Sequence, residues 1–169
     1  DIKTEVNAVL NAWQPNGGNY INTFISGKGN SVSSSLGLLI NSLNQDFEIL
    51  KNNRLGVPLG KIPVGTVSPV LPKEVEAYYS GISVQLALAQ FKAVQGIFLG
   101  TGGNGNGLGL ANYLINVKAN YNGGLLSDTI KVAFAKAIAD LQAVPDPLSQ
   151  TIQTNPNPVN TVFAESQRL

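Results

Sequence analysis

The segment LSDTIKVAFAKAIADLQAVPDP, residues 126–147, decides the fold class. Its apolar residues Leu126, Ile130, Ala133, Ala137, Leu141 and Val144 step by four, three, four, four and three positions. That spacing gathers them on one face of an α-helix. Pro145-Asp146-Pro147 ends the pattern, because proline brings no amide hydrogen to a helix and its ring clashes with the preceding turn.

The same period recurs on either side. Ile2, Val6, Val9, Leu10 and Trp13 predict a first helix, broken by Pro15-Asn16-Gly17-Gly18. Tyr20, Ile21, Phe24 and Ile25 make a short second stripe. A third helix carries Leu36, Leu39, Ile40, Leu43, Phe47 and Leu50, with Ser31 or Ser33 as its expected cap. Lys73 to Leu99 reads as helix with a break at Ser80-Gly81, and its second part, from Ile82, is apolar on nearly every face, as a central helix should be. Leu110, Tyr113, Leu114 and Val117 mark a shorter helix, Asn122-Gly123-Gly124 a turn, and Pro158 to Leu169 a last helix with Val159, Val162 and Phe163 inward. Between Leu55 and Pro72 four prolines and three glycines, among them Gly56, Gly60 and Gly65, sustain neither helix nor central strand. The prediction is all-α: an up-down helical bundle with a long Pro/Gly-rich crossover, in one domain over 1–169. Its parts are leading helices in 1–54, the crossover in 55–72 and the remaining bundle helices in 73–169.

Composition narrows the function classes. The chain has no His, Cys or Met, and only 12% of its residues are charged, about half the usual share. A net charge of +1 with scattered Lys and Arg offers no field for nucleic acid. No apolar run reaches the ~20 residues of a membrane span, the densest, Ile82 to Leu99, being interrupted by Gln85, Gln90, Lys92 and Gln95. An asparagine-rich, weakly charged surface favours an exported protein, and the start at Asp1 suggests a processed or trimmed terminus.

Gly100-Thr101-Gly102-Gly103-Asn104-Gly105 matches the spacing of a dinucleotide fingerprint. It follows a helix rather than a strand, and no acidic residue stands about twenty positions on in the right setting, so it reads as a loop. The Gly56 to Lys61 stretch fails as a phosphate loop, because Ile62 occupies the place of the magnesium-binding hydroxyl. Ser80 and Ser83 have neither a histidine nor a lysine base, so the expected role is to cap the helix that begins near Ile82. Glu74 and Glu76, two apart on the expected helix, point in different directions and would not chelate one ion together. Glu76 is expected to pair with Arg54 or Lys73, or to give one carboxylate ligand to a hard cation whose other ligands lie elsewhere.

Arg54-Leu55-Gly56-Val57-Pro58-Leu59-Gly60, followed by Val75-Glu76-Ala77-Tyr78-Tyr79-Ser80-Gly81-Ile82-Ser83, resembles the imelysin-like family, which carries a Pro-Leu-Gly stretch and then a Val-Glu-x-x-Tyr-Ser-x-x-Ser signature. Trp13, Gly17-Gly18, Tyr20 and Phe24, and later Ala143-Val144-Pro145-Asp146-Pro147-Leu148, agree in the same order. The resemblance implies an exported bacterial envelope protein, periplasmic or at the cell surface and often lipid-anchored, built as two packed helical bundles and implicated in iron uptake. It implies a site between the bundles, faced here by Glu76, Ser80 and Ser83 with Arg54 close by. The family hallmark Gly-x-His-x-x-Glu is absent, so the chain resembles the carboxyl-terminal bundle and the helices leading into it. Iron or another metal is then expected in an intact protein and not in this chain alone, the amino-terminal bundle being the partner. The alternatives are a metallopeptidase fragment, from the family name, and a structural or partner-binding bundle.

Overall fold

A computed structural model of the chain describes residues 1–65, 69–102 and 105–169. The fold is all-α. Among the described residues it comprises α1 (Ile2–Trp13), α2 (Tyr20–Ser26), α3 (Ser35–Ile49), α4 (Ser83–Leu99), α5 (Leu110–Asn116), α6 (Leu126–Gln142), α7 (Leu148–Thr154) and α8 (Asn157–Ser166). A π-helix, Leu50–Gly56, continues α3, and a 3₁₀ turn spans Pro72–Glu74. Among the described residues the strands are two antiparallel pairs of two residues each: β1 (Thr101–Gly102) with β2 (Gly105–Asn106), and β3 (Asn120–Tyr121) with β4 (Gly124–Leu125). The expected crossover and the glycine loop partly fall on 66–68 and 103–104, outside the described residues. Among the described residues no helix is long and apolar enough to cross a membrane.

Two compact units divide the chain, Asp1–Gln45 and Asp46–Leu169. In the first, Asp1 caps α1 by accepting the Thr4 amide at 3.0 Å. α1 and α2 are locked by aromatic contacts: Trp13 meets Tyr20 edge-on at 4.8 Å between ring centres and Phe24 at 5.3 Å. The cap of α3 is neither Ser31 nor Ser33. It is Ser34, buried, whose hydroxyl accepts the Gly37 amide at 3.1 Å and donates to the Ser31 carbonyl at 2.7 Å. The four serines of Ser31–Ser35 look alike in sequence, and only the backbone path selects the one whose hydroxyl lies three residues before an unpaired amide.

In the second unit α4 carries the stripe Val84, Ala87, Phe91, Val94 and Phe98, all buried. It faces Phe134, Ala137 and Leu141 of α6, and α8 closes the core with Val159 and Val162 fully buried. Phe91 and Phe134 both meet the ring of Phe47, at 5.6 and 6.3 Å, each near-perpendicular. Asn122 and Gly123, both with positive φ (49° and 82°), make the tight hairpin between β3 and β4 that the Asn-Gly pair predicts.

One expected helix is shorter than its periodicity suggests. Residues 75–81 are turns, and α4 begins only at Ser83. Gly81 sits at φ +67°, a left-handed conformation that an α-helix cannot pass through. α7 is an addition: in Leu148–Thr154 only Leu148 and Ile152 are apolar anchors, too few for a period to register.

Candidate functional site

The site is assembled by the two ends of the Pro/Gly-rich segment. Leu50 and Leu55, fully buried, anchor the π-helix in the core. At its start Glu48 receives hydrogen bonds from Lys51 Nζ (2.5 Å) and Asn52 Nδ2 (2.7 Å). The Lys51 bond is the main reason the Glu48 carboxyl is held below its ordinary range; desolvation opposes it, and the Asn52 bond and the Lys51 charge add to it. The wide turn closes with the Val57 amide on the Asn52 carbonyl at 2.7 Å. Pro58 is buried, and its carbonyl accepts the Leu71 amide at 2.8 Å, bringing the far end of the crossover back to the near end. Thus Arg54 and Glu76, 22 positions apart in sequence, form an ion pair of 2.8 Å between Nη2 and Oε1.

Their side chains are 26% and 36% exposed. An ion pair this wet contributes about 0.2–1 kcal/mol, too little to explain the pairing as a stability device and little enough for a ligand to reopen it. Ser80 and Ser83 both address the backbone of Ala77, the residue after Glu76. The Ser83 hydroxyl, buried, accepts the Ala77 amide at 3.3 Å, while the exposed Ser80 hydroxyl donates to the Ala77 carbonyl at 3.5 Å. The four sequence-predicted residues therefore fall into two pairs: Arg54 with Glu76, and two serines that pin the turn beside Glu76. Tyr78 and Tyr79, edge-on at 5.3 Å, stand on the same turn, and Tyr79 is fully exposed.

The serines do not cap α4 as expected. Its first free amides are taken by Asp146: Oδ1 accepts from Val84 at 2.9 Å and Oδ2 from Gln85 at 3.2 Å. The same Oδ1 accepts the Leu148 amide at 3.3 Å at the start of α7. Glu74 and Glu76 do not share a helix either, since Glu74 ends the 3₁₀ turn and Glu76 lies in the irregular turn beyond it. Asp146 is the residue that sequence reasoning missed. Its flanking prolines read as a helix stop, and nothing in a linear pattern ties them to a helix start 62 positions earlier.

The residues around Glu76 do not fit a metal ion by themselves. A guanidinium cation holds the Glu76 carboxylate, and among the described residues no three His, Cys, Asp or Glu side chains gather as a metal-holding group. Nor do they fit a serine nucleophile, for the Ser83 hydroxyl is buried and engaged with backbone and the chain has no histidine. What the arrangement offers is recognition: a carboxylate, an exposed hydroxyl and an exposed phenol on one short turn, with a guanidinium of several donors brought to the carboxylate from the π-helix. A separate groove of about 680 Å³ runs along α6 and the end of α8, lined by Leu126, Ile130, Lys136, Glu165 and Arg168 among others, and by none of these four residues.

Compared with known proteins, residues 1–165 match the family model described as Imelysin. No curated protein and no solved structure matches the chain.

Proposed function

Because the chain belongs to the imelysin family, we propose that it is a binding module of an exported bacterial envelope protein that serves iron uptake, and that the Arg54–Glu76 turn is one wall of its binding site. The observation that carries the reading is the Arg54–Glu76 ion pair itself. Two ends of a crossover are brought together to hold a half-exposed carboxylate and guanidinium whose pairing adds little to stability. Such groups are kept available for a partner. Glu76 supplies a hard oxygen ligand, and Arg54 balances its charge until the site is completed. The remaining ligands come from a second helical bundle, of the same polypeptide or another, that bears the family's Gly-x-His-x-x-Glu motif.

The test is a titration of ferric iron, in a weak chelating buffer, into the chain alone and into the chain joined to such a second bundle. Tight binding only in the joined form, lost in Glu76→Ala, is the expected result. Equal and tight binding by the chain alone, or no effect of Glu76→Ala, would overturn the proposal.

A further inference from the structure

We infer that Asp146 is a positioning residue for Glu76, a role that rests on the reading of Glu76 as a binding residue. Asp146 has no contact with Glu76 itself; it acts through the turn that carries it. Three amides converge on its carboxylate, those of Val84, Gln85 and Leu148. The first two belong to the opening turn of α4 and the third to the opening turn of α7, so one side chain fastens two helix starts together.

Everything between Glu76 and α4 hangs from that fastening. Ser83, the first residue of α4, is buried and receives the Ala77 amide on its hydroxyl, and the Gly81 amide closes on the Ala77 carbonyl at 2.8 Å. Gly81 also lies beside the corner that carries Asp146. At φ +67° it turns the chain past Pro147, whose Cβ lies 3.4 Å from where a Gly81 side chain would begin, an ordinary van der Waals separation. The chain of restraint therefore runs from the Asp146 carboxylate to the Val84 and Gln85 amides, through Ser83 to the Ala77 amide, and so to the residue bearing the carboxylate. On the other side Glu76 is joined to Val75, which is buried. With both neighbours fixed, the backbone that bears the carboxylate is held where its side chain reaches Arg54.

An ordinary cap would come from the residue just before the helix, and α4 has none: its preceding residue, Ile82, has no side-chain oxygen. Delegating the cap to a distant carboxylate makes the position of the Glu76 turn depend on the corner at 145–148. That is the property expected of a site-forming device rather than of a helix end alone.

The experiment uses the full chain and three variants: Asp146→Ala, Asp146→Asn, which keeps one acceptor oxygen of two, and Phe134→Leu, a core change where the ring packs on Phe47 and Phe98. Hydrogen exchange of the Ala77 amide and the Arg54 Nε–H signal in nitrogen-resolved spectra are read without ligand, at conditions of matched global stability. Asp146→Ala should speed Ala77 exchange by about tenfold relative to Phe134→Leu and move the Arg54 signal to its unpaired position, with Asp146→Asn between the two. If Asp146→Ala does not fold, Asp146→Asn against Phe134→Leu decides the question by the same readings. Unchanged Ala77 exchange and Arg54 signal, or equal changes in Phe134→Leu, overturn the inference. In the iron titration above, Asp146→Asn should weaken binding by about tenfold without abolishing it, and undiminished binding with a loosened turn overturns the positioning role. Iron binding that survives Glu76→Ala defeats instead the reading of Glu76, whatever the Ala77 amide does.

Discussion

The ring of Phe163 in α8 lies against the backbone of Gly56, so closely that a Cβ there would stand 2.8 Å from Cε2 of the ring and 2.7 Å from Cγ1 of Ile62. The last residue of the π-helix is glycine because α8 packs directly on the main chain. Gly56→Ala must push either α8 or the crossover outward, two positions from Arg54. The expected cost is about 1–3 kcal/mol, typical of overpacking, and is measured by urea unfolding.

Arg54→Ala and Glu76→Ala should each change stability by no more than about 1 kcal/mol, and a double-mutant cycle between them should return a coupling of the same small size. The same substitutions should be severe for ligand binding. A coupling of several kcal/mol would mean that the pair is structural after all.

Ser34→Ala removes both the acceptor for the Gly37 amide and the donor to the Ser31 carbonyl. The amino end of α3 should lose about 1 kcal/mol, whereas Ser31→Ala and Ser33→Ala, which touch no helix amide, should be close to neutral. Thermal melts of the three variants separate these outcomes.

The pH dependence should have two identifiable contributors. The Glu48 carboxyl is held below its unfolded value, chiefly by the Lys51 hydrogen bond, so its contribution is present above the usual carboxylate range and fades as pH falls through its lowered folded value. Lys136 has its ammonium held above the ordinary lysine value, first by the Asp140 hydrogen bond, with smaller contributions from the Asp140 and Glu165 charges. Its contribution is present at neutral pH and fades as pH rises through that raised value. Urea titrations of Glu48→Gln and Lys136→Met should flatten the acid and alkaline limbs respectively. Both effects should be small, since these groups are largely solvated.

Much of the architecture could be read from residue spacing, and the exceptions share a cause. α1, α2, α3, α5, α6 and α8 are each announced by an apolar period that survives because one face meets a core or a neighbouring helix. The stretch Lys73 to Ser80 carries the same sort of period and is not α-helical, because the Ser83 hydroxyl takes the Ala77 amide and Gly81 at φ +67° turns the chain out of a helical path. At the site, sequence leaves two partners open for Glu76, Arg54 and Lys73, and only the return of the crossover onto the π-helix selects Arg54. Asp146 was not legible, since a cap contributed from 62 residues away leaves no local mark.

The two ends of α4 are completed on different schedules. Its carboxyl end closes locally, where Gly100 at φ +77° returns its amide to the Ile97 carbonyl. Its amino end waits for a carboxylate 62 residues downstream. Before that carboxylate docks, the Val84 and Gln85 amides have no local side-chain acceptor. Until then water must serve them, and the first turn of α4 frays. The carboxyl end of α4 therefore closes on its own neighbours, whereas its first turn, and with it the turn bearing Glu76, is completed only when the corner at 145–148 docks.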